Sequence, residues 1–146
     1  MKVLLASGIG ELLFGMKTSD VEEIYGAPDK IFNDDDKNLI YLYNRYKWRL
    51  TFYSDEDFRL GYVISSHPDL KLFNINLIGE KIEIVKQNLN ERGFRKWEQE
   101  YFDTTENHFN EEHWLILQAE FGEVIKVEVG AIINDKDEFN WKFKSK

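Results

Sequence analysis

Apolar positions recur along this chain with two periods, and the periods alternate. In the stretch 78–93, Ile78, Ile82, Val85 and Leu89 make one stripe of a 3.6-residue period. Glu80, Lys81, Glu83, Lys86 and Gln87 cover its wet side, and Gly93 stands where a C-terminal glycine ends a helix. A shorter helix is predicted over 19–25. There Ser19 with Glu22 makes a capping box, Val21 and Ile24 face inward, and Gly26-Ala27-Pro28 stops the chain from continuing. A helix of barely two turns is not stable by propensity, so it must pack on a sheet.

Each helical stretch is followed by short, aromatic-rich runs with strand character. After the first come runs at 30–32, 39–43, 48–53 and 60–65, separated by turns at 33–38, 44–47 and 54–57. After the second come 94–102, 114–121 and 124–133, with Gly122 in a tight hairpin, and a last strand over 139–143. A first strand is read at 3–6. The link 66–76 is read as strand-free because His67-Pro68-Asp69 interrupts it. Loops this short make consecutive strands antiparallel, since a parallel return needs a dozen residues or more. The predicted fold is therefore α+β: an antiparallel meander sheet with two short helices packed on one face, built from a tandem helix-plus-strands repeat. Residues 1–146 form a single compact domain of two similar units, about 1–70 and 71–146.

Alternation assigns faces. Trp48, Leu50 and Phe52 share one side against Arg49, Thr51 and Tyr53. Ile125, Val127, Val129, Ala131 and Ile133 oppose Lys126 and Glu128. Leu115, Leu117, Ala119 and Phe121 oppose Trp114, Ile116, Gln118 and Glu120. A sheet covered on one face shows this mixed pattern. Trp48, Phe52, Tyr62, Phe121 and Trp141 are expected in the core. The uncovered face is expected to present Tyr41, Tyr43, Arg49, Tyr53 and Trp114, residue types that dominate interfaces.

Composition narrows the partners. The net charge of −8 argues against a nucleic acid as direct ligand, because phosphate binding needs clustered Lys and Arg, and it suits a basic protein surface instead. Cysteine is absent, which removes disulfides, thiolate metal sites and thiol nucleophiles and fits a reducing cytoplasm. The opening Met1-Lys2-Val3-Leu4-Leu5-Ala6 is broken by Ser7-Gly8 and Glu11, shorter than a signal peptide's apolar core, and no run is long enough to span a membrane. The chain is accordingly expected to be cytoplasmic.

No constellation of catalytic type is found. His108 and His113 lie five apart around Glu111-Glu112, a spacing that fits neither a helical pair nor a zinc pattern, and His67 sits in a turn. The loop at Asp34-Asp35-Asp36 has Leu39 and Arg45 where a calcium loop needs glycine and glutamate. No catalytic, cofactor or metal residue is assigned, and no cofactor is expected.

The run from Gly15 through Thr18, Ser19, Val21, Gly26 and Pro28 to Asp29 resembles the entry segment of the beta-lactamase-inhibitor-protein-like group, which includes the small outer-membrane assembly lipoproteins. The motif spans about fifteen residues, and the second unit keeps Ile78-Gly79 but lacks the Gly-x-Pro exit. The resemblance implies a concave sheet used for protein contact, without catalysis. The chain has neither a lipid-anchoring cysteine nor the disulfides of the secreted inhibitor.

Together these readings give a non-catalytic protein-binding module, an intracellular inhibitor or immunity-type protein occluding a basic partner. Asp34–Asp36 and Asp55–Asp57 are its candidate steering loops. The alternatives are a small-molecule carrier or sensor using an aromatic-lined concavity, and a homodimer that buries the aromatic face against itself.

Overall fold

Eight strands, each too short to be stable alone, form one antiparallel sheet. The computed structural model describes residues 1–144. The chain opens with β1 (Val3–Leu4), β2 (Gly8–Ile9) and β3 (Leu12–Leu13), then runs through α1 (Thr18–Tyr25) into β4 (Lys30–Asn33), β5 (Leu39–Tyr43), β6 (Trp48–Tyr53) and β7 (Arg59–Ser65). A small hairpin, β8 (Lys71–Leu72) and β9 (Ile75–Asn76), precedes α2 (Ile82–Glu91). The second meander is β10 (Glu98–Phe102), β11 (Thr105–Asn110), β12 (Leu115–Glu120) and β13 (Glu123–Gly130). The strand order is β10-β11-β12-β13-β7-β6-β5-β4, so each helix leads into four consecutive strands and the last strands of the two sets pair at the centre. This is the α+β meander with two short helices that the periodicity predicts.

Register shows which side the helices cover. Tyr43, Trp48, Ser65, Val127, Leu117 and His108 are cross-strand neighbours in one row. At one end the Tyr43 hydroxyl donates to the Gly26 carbonyl at the exit of α1. At the other, Lys86 Nζ of α2 lies 3.2 Å from His108 Nδ1. Both helices therefore sit on the same face, and Val21, Val85 and Leu89 join Leu50, Phe52 and Val63 in one hydrophobic cluster. The β1–β3 sheet adds Ile9, Leu12 and Phe14 to it, and the β8–β9 hairpin adds Leu72.

Several local expectations change. The segment 66–76 contains the β8–β9 hairpin, whose turn residues Phe73 and Asn74 have φ of 51° and 66°, the left-handed pair a tight hairpin requires. Strand β11 falls in a stretch to which no strand is assigned from the sequence, and the predicted strand over 139–143 is one bridge between Ile133 and Phe139. Helix α1 starts at Thr18: the Asp20 carboxylate accepts the Lys17 N–H at 2.9 Å, where a Ser19 cap was expected. Ile78 precedes α2, because its neighbour Gly79 donates to Val124 and ties this segment to the sheet.

Two bulges adjust the faces. Gly61 is the extra residue between the Phe52–Leu60 and Thr51–Tyr62 pairs, and Ile125 the extra one between Ala119–Val124 and Gln118–Lys126. The second bulge brings Val124 into the core and leaves Ile125 exposed, against the simple alternation. Phe121, expected in the core, is 83% exposed at the β12–β13 turn, where it and Gly122 both have positive φ.

Candidate functional site: the uncovered sheet face

The face opposite the helices is built by the other parity. Leu42, Arg49, Ile64, Glu128, Ile116 and Phe109 form a row across six strands, none of them fully buried. In the adjacent row Tyr62 stands opposite Gly130. The Tyr62 hydroxyl donates to Glu128 Oε1 at 2.6 Å. Burial, followed by that carboxylate, pushes the Tyr62 phenol far above its ordinary value, so it stays a proton donor.

Two rings occupy the space where glycines have no side chain. A Cβ on Gly130 would meet Trp114 Cδ1 at 2.6 Å and Tyr62 Cδ1 at 3.0 Å, and one on Gly61 would meet the Tyr53 ring at 2.0 Å. These seats hold Trp114 and Tyr53 against the sheet, and Trp114 keeps part of its surface exposed. Trp114, 37% exposed, also meets Phe109 edge-to-face at 5.0 Å. The centre of this face is thus a band of Phe109, Trp114 and Tyr62 beside Ile116 and Ile64.

Gly130→Val is expected to unseat the indole and cost about 1–3 kcal/mol, since the clash is with side chains that can move. The Trp114 indole N–H resonance should shift while the Trp48 indole resonance stays in place. An unmoved Trp114 signal would contradict the seat.

Arg49 and Tyr53 sit on the same face but serve neighbours. Arg49 donates to Thr51 Oγ1 at 3.3 Å, and Thr51 and Ile40 are buried despite facing this side. Its guanidinium also reaches toward the acidic β4–β5 turn. There Asp34 accepts amide bonds from Asn38 and Asp36. Desolvation pushes the Asp34 carboxyl up, but these bonds together with Arg49 hold it below the ordinary carboxylate range. Tyr53 stacks on Phe139 of the C-terminal tail at 5.8 Å, and Phe139 on Trp141 at 4.6 Å, so the tail covers one end of the face. At that end Asp36, Asn38, Asp55 and Glu56 surround the two rings in a depression of about 540 Å³.

Tyr41 and Tyr43 are a correction. They are 5% and 3% exposed and lie under α1, not on the uncovered face. Tyr41 is opposite Leu50, and its hydroxyl donates to Glu22 Oε2 at 2.9 Å. In 39–43 every residue is apolar or aromatic, so alternation alone does not fix parity; pairing with β6 does. The structure brings Arg49, Tyr53 and Trp114 to one face and adds Phe109, Tyr62, Ile116 and Glu128, which the sequence reading did not select.

The histidines have structural surroundings. His108 is buried between Lys86 and Glu106, with Nε2 3.1 Å from Glu106 Oε1, so a carboxylate, an imidazole and an ammonium join α2 to β11. Desolvation pushes the Lys86 ammonium's pKa below its ordinary value. His113 stacks face to face on Phe94 at 4.1 Å. His67 Nδ1 accepts the Asp69 N–H at 3.0 Å.

No family model matches the chain. No curated protein matches it either. Among solved structures it is similar to an extracellular protein containing an SCP domain from Bacillus anthracis str. Ames. The TM-score is 0.54 at 12% sequence identity, over 90% of this chain and 50% of that one. At that identity the likeness is one of fold, and the chain spans about half the length of that protein. Among the described residues no helix is long and apolar enough to cross a membrane.

Proposed function

We propose that this chain is a non-catalytic protein-binding module, of inhibitor or immunity type, that uses the uncovered sheet face to occlude a basic surface of another protein inside the cell. The observation that carries this reading is the convergence at one end of the face. Asp36, Asp55 and Glu56, from two turns, surround Tyr53 and Phe139, a lining suited to a lysine or arginine side chain. The partly exposed band of Trp114, Phe109 and Tyr62 supplies the apolar anchors. The net charge of −8 supplies long-range attraction to a basic partner. The resemblance of Gly15 to Asp29 to the inhibitor-like group points the same way.

The test is affinity capture from the source cells at micromolar protein, followed by purification of the complex. The expected result is a basic protein in a defined stoichiometric complex whose affinity falls as salt rises. Asp36→Lys with Asp55→Lys should weaken it at least about tenfold, as should Trp114→Ser. A partner held equally by all three proteins, or no partner, would overturn the reading.

A further inference from the structure

Carboxylates are spread over most of this molecule, with 27 Asp and Glu in 146 residues. Four concave regions of 420–540 Å³ each include at least one of them. A fifth, of about 640 Å³, includes none. It lies between β1, the β8–β9 hairpin, the loop after α2 and the turn before β12, and two lysines stand on its rim.

The lysine placement is unusual in a physical sense. Lys2 and Lys71 are direct partners in a parallel bridge, which sets both side chains on the same side. Like charges placed opposite each other destabilise a strand pair. Among the described residues neither forms an ion pair. Arg92, 5.0 Å from the Phe73 ring centroid, adds a third positive charge nearby.

Apart from the lysines the lining is mostly apolar, with Ser7, Asn74 and His113 as its other polar members. Leu72 is buried, whereas Leu4 and Phe73 are 42% and 45% exposed and form the walls. Phe94 provides the floor, stacked on His113 with only 5° between the rings. Asn110, fully buried, donates from its amide nitrogen to the Lys96 carbonyl, so its oxygen is left to accept from His113 N–H and Nδ1–H. That fixes the imidazole as a backing plate for Phe94.

We propose that this groove binds a small amphipathic carboxylate, with the anionic head between Lys2 and Lys71 and the apolar body along Leu4, Phe73 and Phe94. Its volume is in the range of small-molecule sites. The head would relieve the lysine pair's repulsion, and the body would cover side chains that water now touches. This site is separate from the acidic depression at Tyr53 and does not depend on the protein-binding reading.

The experiment titrates octanoate, octan-1-ol and octylamine into isotope-labelled protein, following backbone amide resonances. Octanoate should saturate with a Kd of about millimolar or tighter, as expected for a ligand of this size. The shifts should centre on Leu4, Phe73, Phe94 and His113. Octan-1-ol should bind at least about tenfold more weakly, and octylamine more weakly still. Lys2→Gln with Lys71→Gln, surface changes that leave the core intact, should reduce octanoate binding to the level of the alcohol. Equal binding of acid and alcohol, indifference to the double substitution, shifts centred elsewhere, or no saturation up to tens of millimolar would each overturn the proposal.

Discussion

Gly8→Ala is expected to cost the fold about 3 kcal/mol or more, the largest effect of any Gly→Ala change among its glycines. Gly8 has φ of +151°, a conformation that L side chains rarely adopt. A Cβ there would also fall 1.8 Å from the Leu12 carbonyl oxygen and 2.8 Å from its carbon. Both atoms are backbone in the facing β3 strand, so no rotamer change relieves the overlap. Relief requires opening the β2–β3 hairpin, which carries the fully buried Ile9 and Leu12 into the core. Thermal unfolding should show a loss of roughly 10 °C. Gly122→Ala is the control: Gly122 also has positive φ, but nothing lies within 4 Å of its Cβ position, so only the backbone penalty of about 1 kcal/mol applies. Equal losses for the two variants would mean the hairpin does not pack as described.

The contrast between these glycines shows what was legible in the residues. Gly122 announces a hairpin because it sits between two strands of clear alternation. Gly8 lies in a run too short to show any period, and the need for glycine there comes from a strand four residues later. Long periodic segments are readable for the same reason: α2 is specified by its own stripe, and β5 and β6 occupy the predicted spans. Strand β11 was not readable. Its residues, Thr105-Glu106-Asn107-His108-Phe109-Asn110, carry polar groups on both parities, and only pairing between β10 and β12 makes it a strand.

The candidate site was half legible for a related reason. Arg49 and Tyr53 are on a strand whose own residues alternate, Trp48, Leu50 and Phe52 against Arg49, Thr51 and Tyr53, and they fall on the face that alternation assigns. Tyr41 and Tyr43 are on a strand with no polar marker, and register sends them under α1. Phe109 lies on a strand that its own residues do not announce, so no face can be assigned to it from the sequence. Tyr62 was expected in the core because bulge residue Gly61 interrupts the period of β7. Sequence patterns thus reveal which strands exist more readily than which way an aromatic strand faces.

Stability is expected to fall as pH rises from about 10 towards 12, and tyrosines on both faces of the sheet cause it. Tyr25, Tyr41, Tyr43, Tyr53 and Tyr62 all have phenols raised above the ordinary value. For Tyr43, burial and then the neighbouring Glu22 carboxylate push it from 10.0 to about 12. In this window the native protein keeps a proton that the unfolded chain has released. Raising the pH therefore favours unfolding, and the full contribution is present only below the unfolded value near 10. For Tyr43, buried with its hydroxyl on the Gly26 carbonyl, the loss is about 2–3 kcal/mol by the upper end of the window. Urea unfolding at steps of pH, with phenolate absorbance followed in parallel, measures it. Tyr43→Phe should lose about 1 kcal/mol at neutral pH from the missing hydrogen bond, yet show a shallower alkaline decline. Tyr62→Phe should also flatten the decline while freeing Glu128 on the uncovered face. A stability that holds level through this window, or a slope unchanged in both variants, would contradict the burial of these phenols. The two substitutions also separate the faces: Tyr43 reports the seal between α1 and the sheet, and Tyr62 the aromatic band proposed to meet a partner.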